Sequence, residues 1–163
     1  MKILIVSDTH RKDDNLKLVI EQNLPLDMLI HLGDVEGSEY QIPQWVNPEC
    51  EMQMVMGNND FFSRLDRERE IDICGHRVLL THGHSYGVSM GPEGLAEEAK
   101  SRGCDVAMFG HTHRPFLETV KGVLLVNPGS LSYPRQEGRQ PSYLLLTAQA
   151  DGTLDFSQKY LRN

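Results

Sequence analysis

The sequence predicts an α/β chain with two packed β-sheets and helices outside, and three observations carry that prediction. The first forty residues read strand, helix, strand, the signature of a parallel α/β unit. The second half is rich in hairpin patterns, which calls for a second sheet. Five apolar runs end in short stretches of Asp, Asn and His, so polar chemistry falls at strand ends, where open α/β sheets place their ligands.

Lys2 to Val6 is a β-branched-rich run, apolar on both faces, and suits the middle of a sheet covered on both sides. It ends in Ser7-Asp8-Thr9-His10. Asp13-Asp14-Asn15 offers a helix N-cap, and Leu16, Val19, Ile20 and Asn23-Leu24 follow helical spacing up to Pro25. Asp27 to Leu32 is the second strand and runs into Gly33-Asp34; the unit implies a right-handed parallel crossover. Gly37 to Pro48 is irregular, with Trp45 expected to pack under the loop. Glu51 to Met56 is a third strand, ending in Gly57-Asn58-Asn59-Asp60.

Glu68 to Cys74 and Arg77 to Thr81 then flank Gly75-His76, read as a hairpin turn, and the second of them ends in His82-Gly83-His84. Pro92 to Arg102 reads as a helix with Leu95, Ala96 and Ala99 on its apolar face and Gly103 as its stop. Asp105 to Phe109 leads into Gly110-His111-Thr112-His113. Gly110 is expected to supply the positive φ that turns both histidines toward one volume. Phe116 to Val120 and Val123 to Asn127 form a hairpin about Lys121-Gly122. Ser142 to Thr147 and Thr153 to Tyr160 form another about Ala150-Asp151-Gly152.

With 163 residues, one domain spanning the chain has enough length to bury a core. The formal net charge is −7, and no Lys/Arg tract runs along the chain. A general nucleic-acid binder shows a basic face, so no specific nucleic-acid groove is expected. An acidic protein still binds an anion where a metal ion supplies the local positive charge. Cys50, Cys74 and Cys104 are odd in number and widely spaced, which points to free buried thiols and away from a disulfide framework or thiolate zinc site. No apolar run reaches membrane-spanning length, and the N-terminal run is too short for a signal peptide. The reading is a cytoplasmic protein. Edge strands near the C-terminus leave a homo-oligomer open.

The residues just past the apolar runs are Asp8, His10, Asp34, Asn58, His82, His111 and His113. Oxygen and imidazole donors without Cys suit a borderline to hard divalent ion: manganese first, with nickel, iron or zinc as alternatives. Seven donors exceed one closed tetrahedral site. They suit two ions sharing a carboxylate, with positions open to water and substrate. His31, inside a strand, and His76, inside a turn, are assigned structural roles.

Taken in order, Asp8-Thr9-His10, Gly33-Asp34, Gly57-Asn58-Asn59-Asp60, His82-Gly83-His84 and Gly110-His111-Thr112-His113 resemble the five motifs of the calcineurin-like metallophosphoesterases. Asn127-Pro128-Gly129-Ser130 resembles a late loop of their small bacterial and archaeal phosphodiesterase branch. The resemblance implies a four-layer αββα sandwich of two mixed sheets flanked by helices. It implies that Asp8, His10 and His113 hold one ion, that Asn58, His82 and His111 hold the other, and that Asp34 bridges them. It further implies hydrolysis of a small phosphodiester by a metal-bridging hydroxide, formed because the metal lowers the pKa of water from about 15.7 to about 7.

Many family members carry a histidine after the metal-binding asparagine, where it is thought to protonate the leaving group or contact phosphate. Here that position is Asn59, whose amide donates a hydrogen bond but is no general acid near neutral pH. Loss of acid catalysis costs roughly a hundredfold or more for a poor leaving group. Asn59 and His84 are therefore the candidate catalytic residues, with His84 able to take over the acid role. The competing reading is a protein-interaction scaffold of the same fold, similar to the retromer subunit of eukaryotes. Here every ligand position is kept.

Overall fold

In the computed structural model, which describes residues 1–161, Lys2–Val6 forms β1, and everything after Lys2 in it is buried. Helix α1, Asp14–Asn23, leads to β2, Met28–His31, and an irregular segment leads to β3, Glu51–Met54. A hairpin of β4, Glu68–Ile73, and β5, His76–Thr81, comes next, followed by helix α2, Glu93–Ser101, and β6, Val106–Met108. Two more hairpins close the chain: β7, Pro115–Val120, with β8, Val123–Pro128, and β9, Ser142–Ala148, with β10, Leu154–Tyr160.

Among the described residues these strands form two five-stranded mixed sheets, ordered β10-β9-β1-β2-β3 and β4-β5-β6-β8-β7. β1, β2 and β3 run parallel in the first sheet, and β5, β6 and β8 run parallel in the second. Alternation of side chains along each strand makes the layers. Ile3, Ile5 and Ile30 meet Val78, Leu80, Val106 and Met108 between the sheets. Leu4, Val6 and Leu29 face the other way, onto Leu16, Val19 and Ile20 of α1. Leu79, Ala107 and Leu125 pack on Leu95, Ala96 and Ala99 of α2. The result is the expected αββα sandwich. Each fully buried Leu or Ile contributes roughly 1.5–3 kcal/mol, so the layers hold the fold and the loops at the strand ends are free to carry strain.

Several boundaries depart from the sequence reading. α1 stops at Asn23; Leu24 is extended and exposed, as the residue before a proline prefers. Asp13 sits at the N-cap, but its carboxylate accepts from Ser38 Oγ at 2.5 Å instead of capping. Trp45 is half-buried beside α1, with Lys17 Nζ 4.7 Å from its ring centroid. β3 ends two residues early because Val55 and Met56 turn to pair with Asp66. The first hairpin turns at Cys74-Gly75, both at positive φ, so His76 begins β5 instead of lying in the turn. Of the cysteines, all free, only Cys104 is fully buried. No helix among the described residues is long and apolar enough to cross a membrane.

Candidate metal centre

The C-terminal ends of β1, β2, β3, β5 and β6 lie at one edge of the sandwich, and short backbone bonds lace their loops together. Asp8 N donates to Gly33 O at 3.0 Å, His10 N to Asp34 O at 2.8 Å, and Gly110 N to His82 O at 3.1 Å. Asp8, His10, Asp34, His111 and His113 all adopt positive φ, between 48° and 70°. For a residue other than glycine this costs of order 1–3 kcal/mol, and it persists where the surroundings hold it. Here it turns carboxylates and imidazoles out of the strand direction and into one volume.

Gly110 serves differently from the sequence reading. Its φ is not positive; the positive values fall on His111 and His113. A Cβ at Gly110 would lie 2.0 Å from Ser7 Oγ and 2.7 Å from Asp8 Oδ2, so glycine is needed for close approach. The same holds at Gly57, where a Cβ would lie 2.2 Å from Asp34 Oδ1.

Asp8 is fully buried. Its Oδ2 accepts from Ser7 Oγ at 2.6 Å and His111 N at 3.0 Å. That aims Oδ1 at three imidazoles: His113 Nε2 at 3.3 Å, His82 Nε2 at 3.6 Å and His10 Nε2 at 3.8 Å. Asp34 Oδ2 faces His82 Nε2 at 3.4 Å and His10 Nε2 at 3.7 Å. Two clusters of donor atoms result, Asp8 with His10 and His113, and Asp8 with Asp34 and His82. Asp8 belongs to both clusters, and Asp34 also lies between His10 and His82. Asn58 and His111 stand at the outer side and face each other, Oδ1 to Nδ1, at 3.2 Å. The His111 ring centroid is 5.1 Å from that of His82.

The far nitrogen of each inner imidazole is tied down. His82 Nδ1 donates to Leu32 O at 2.6 Å, His113 Nδ1 to Tyr133 O at 2.7 Å, and His10 Nδ1 to Glu36 Oε2 at 2.7 Å. This fixes the tautomer and points an Nε2 lone pair inward, the arrangement metal-ligating histidines use. His10 Nε2 and His113 Nε2 then meet at 3.2 Å as two acceptors, which needs a proton or a cation beside them. Among the described residues, Asp8 Oδ1 and His82 Nε2 are buried without a hydrogen-bond partner. Orphaned buried donors and acceptors are costly. A cation beside His10, His113 and Asp8 and another beside His82, Asp8 and Asp34 would satisfy these four atoms, so the donor set fits metal.

Electrostatics agree. Burial would lift the Asp8 carboxyl, but His82 and His113 hold it well below the usual range, and Asp34 is likewise depressed against its burial by His82 and Asn59. His82 is pulled both ways: burial lowers it, and the two aspartates raise it to about 9. Partial desolvation of their rings and the His82 charge depress His84 and His111.

Asn59 N and Nδ2 donate to the Asp34 carboxylate at 2.8 and 3.0 Å, so its amide anchors that group. His84 is exposed, its ring 5.5 Å from His82 and 6.0 Å from His111. His31 is buried beneath the site: Gly33 N donates to its Nδ1 at 3.1 Å and Thr9 Oγ1 lies 2.9 Å from its Nε2. Burial lowers its pKa to about 4, so it is a neutral strut. His76 bridges Asp105 and Gly152 O, far from these loops.

Sequence reasoning missed the supports. Asp60 accepts three backbone N–H groups, from Asp34 at 2.8 Å, Gly57 at 2.7 Å and Glu36 at 2.7 Å. Ser130 Oγ donates to Asp8 O at 2.8 Å, and Asn127 Nδ2 donates to Gly110 O at 3.1 Å. The signals were an aspartate closing Gly57-Asn58-Asn59-Asp60 and the polar Asn127 to Ser130 loop.

A model of the calcineurin-like phosphoesterase superfamily domain matches residues 1–151. "Probable metallophosphoesterase YsnB" of Bacillus subtilis is 34% identical over 93% of this chain and 86% of its own length. "Phosphodiesterase MJ0936" of Methanocaldococcus jannaschii is 32% identical over 79% of this chain and 83% of its own. The fold also superposes on a crystal structure of Vps29 from Entamoeba histolytica with a TM-score of 0.78, at 22% identity over 99% of this chain and 100% of that one. The chain therefore belongs to the calcineurin-like phosphoesterase superfamily and is a metal-dependent phosphoric ester hydrolase.

Proposed function

We propose that the protein is a dinuclear metal-dependent phosphodiesterase acting on a small phosphodiester. Asp8, His10 and His113 would hold one divalent ion and Asn58, His82 and His111 the other, with Asp34 available to both. The observation that carries the reading is the pair of orphaned buried atoms, Asp8 Oδ1 and His82 Nε2, inside a ring of imidazoles whose other nitrogens are already engaged. When bound, such ions polarise the phosphoryl oxygens and supply a nucleophile by lowering the pKa of water. Manganese suits the oxygen and imidazole donors, with nickel, iron and zinc as alternatives.

The chain's own residues do the positioning. Asp8 and Asp34 supply two negative charges, so two divalent ions held there would leave the centre positive and attractive to phosphate inside an acidic protein. Ser7 and the His111 N–H orient Asp8; Asn59 and Asp60 orient Asp34. No imidazole stands at position 59, so protonation of a poor leaving group falls to His84, the exposed imidazole beside His82 and His111. With an amide at position 59, substrates with good leaving groups are favoured.

The test is turnover of bis(p-nitrophenyl) phosphate and p-nitrophenyl phosphate by metal-stripped protein given manganese, nickel, zinc or magnesium. Metal-dependent turnover favouring the diester is expected. Tight binding of two ions without turnover of either ester would shift the reading to a protein-binding scaffold. The Vps29 likeness supports that alternative through the fold alone.

A further inference from the structure

Arg114, Arg135 and Arg139 are scattered along the chain, and no linear tract marks them. The fold gathers them around one open cleft of about 770 Å³, whose inner wall is His10 and His113. The placement is tied to the metal centre. Arg114 follows His113 directly, and Arg135 N donates to His113 O at 3.0 Å. Tyr133, two residues before Arg135, accepts from His113 Nδ1 through its carbonyl and sets its ring edge-on to His10 at 5.4 Å.

These guanidiniums are uncommitted. Arg69, Arg77 and Arg102 each pair with a carboxylate. Among the described residues, Arg114, Arg135 and Arg139 make no ion pair and no side-chain hydrogen bond. The cleft's one carboxylate, Glu36, is engaged by His10 Nδ1. Three cations against one anion is a local excess in a chain of formal charge −7. Guanidinium forks match phosphate oxygens in pairs, and a doubly charged terminal phosphate gains most from several of them.

Resting on the phosphodiesterase reading, we propose that this cleft seats a second phosphate of the substrate, held by Arg114, Arg135 and Arg139 on the His10–His113 side of the scissile group. The substrate class is then a small phosphodiester bearing a terminal phosphate, such as a nucleotide diester with a further phosphomonoester.

Two measurements test this. Metal-stripped protein is titrated with inorganic pyrophosphate by calorimetry, so the result does not depend on turnover. The triple variant Arg114→Ala/Arg135→Ala/Arg139→Ala is expected to bind at least about tenfold more weakly, from the loss of charge-assisted contacts. Equal binding by both proteins, or none by the wild type, overturns the cleft assignment. With metal restored, thymidine 5′-(p-nitrophenyl phosphate) is compared with the same ester carrying a 3′-phosphate. The wild type is expected to show a kcat/KM roughly tenfold higher for the 3′-phosphorylated ester, mainly through KM. Each Arg→Ala variant should narrow that ratio, with Arg135→Lys retaining part of it. A ratio near one in the wild type, or one unchanged in the triple variant, refutes the proposal. If bis(p-nitrophenyl) phosphate is not hydrolysed with any metal, the phosphodiesterase reading falls, while the pyrophosphate titration still decides the cleft.

Discussion

Replacing Asp60 with asparagine should damage the centre without touching a proposed ligand. The Asp60 carboxylate accepts from three backbone N–H groups: Oδ2 from Asp34 and Gly57, and Oδ1 from Glu36. An amide of the same size has one acceptor oxygen. In its better orientation it keeps the Asp34 and Gly57 bonds as neutral ones and turns an NH2 group against the Glu36 N–H. An unpaired buried donor costs about 1–3 kcal/mol, and two bonds to a charged acceptor fall to neutral strength at roughly 1 kcal/mol each. The sum is about 3–5 kcal/mol, within the stability of a domain of this size, so the variant still folds. Because Asp60 holds the backbone of Asp34, the metal affinity of the variant should fall roughly tenfold to hundredfold, as losses of supporting partners do. Urea unfolding of the metal-free protein and competition for manganese against a chelating dye measure the two effects. A variant within about 0.5 kcal/mol of wild type and equal in manganese affinity would refute the reasoning.

Asp34→Ala should lose both ions and all hydrolysis; two ions retained at full rate, by metal analysis, would show that Asp34 is no shared ligand. Gly57→Ala puts a Cβ 2.2 Å from Asp34 Oδ1 and 2.4 Å from Asp34 N, so Asp34 must move, and activity should fall at least about tenfold while the circular dichroism spectrum is kept. The metal-free protein should lose stability as pH rises. His82 has a folded pKa of about 9 against an ordinary 6.5, so its ion pairs with Asp8 and Asp34 contribute fully below about 6.5 and are lost as pH rises through about 9. That is a few kcal/mol, read as a falling melting temperature across this window. Metal affinity should rise over the same window as the proton leaves Nε2, and a metal-free protein equally stable at both ends would contradict the assignment.

Much of the frame was legible because it is periodic. Ile3 and Ile5 alternate with Leu4 and Val6, and Leu16, Val19 and Ile20 recur on one helix face; both patterns report the layers they pack against. The candidate site residues are legible because each follows an apolar run. His31 lies inside a strand as its sequence position implies, while His76 begins β5 and not a turn; both hold loops together through hydrogen bonds. What supports the site was hidden because it is made between loops distant in sequence. The carbonyls of Leu32 and Tyr133 that fix His82 and His113 carry no side-chain signature, and Asp60 shows its importance only through the N–H groups that reach it. The sequence marks Gly110 only as a turn, and the fold alone reveals that Ser7 and Asp8 leave no room for a Cβ there. The arginine cleft was invisible for the same cause: Arg114 and Arg135 are far apart in sequence and joined by one backbone bond to His113.

The most direct test of a two-ion hydrolytic centre is a manganese titration of metal-stripped protein. Bound ion is counted by paramagnetic resonance while hydrolysis of bis(p-nitrophenyl) phosphate is followed in the same samples. The account predicts that turnover is absent without metal and reaches its plateau as the second equivalent binds. Turnover in the stripped protein, or a plateau reached with one ion bound, would contradict it.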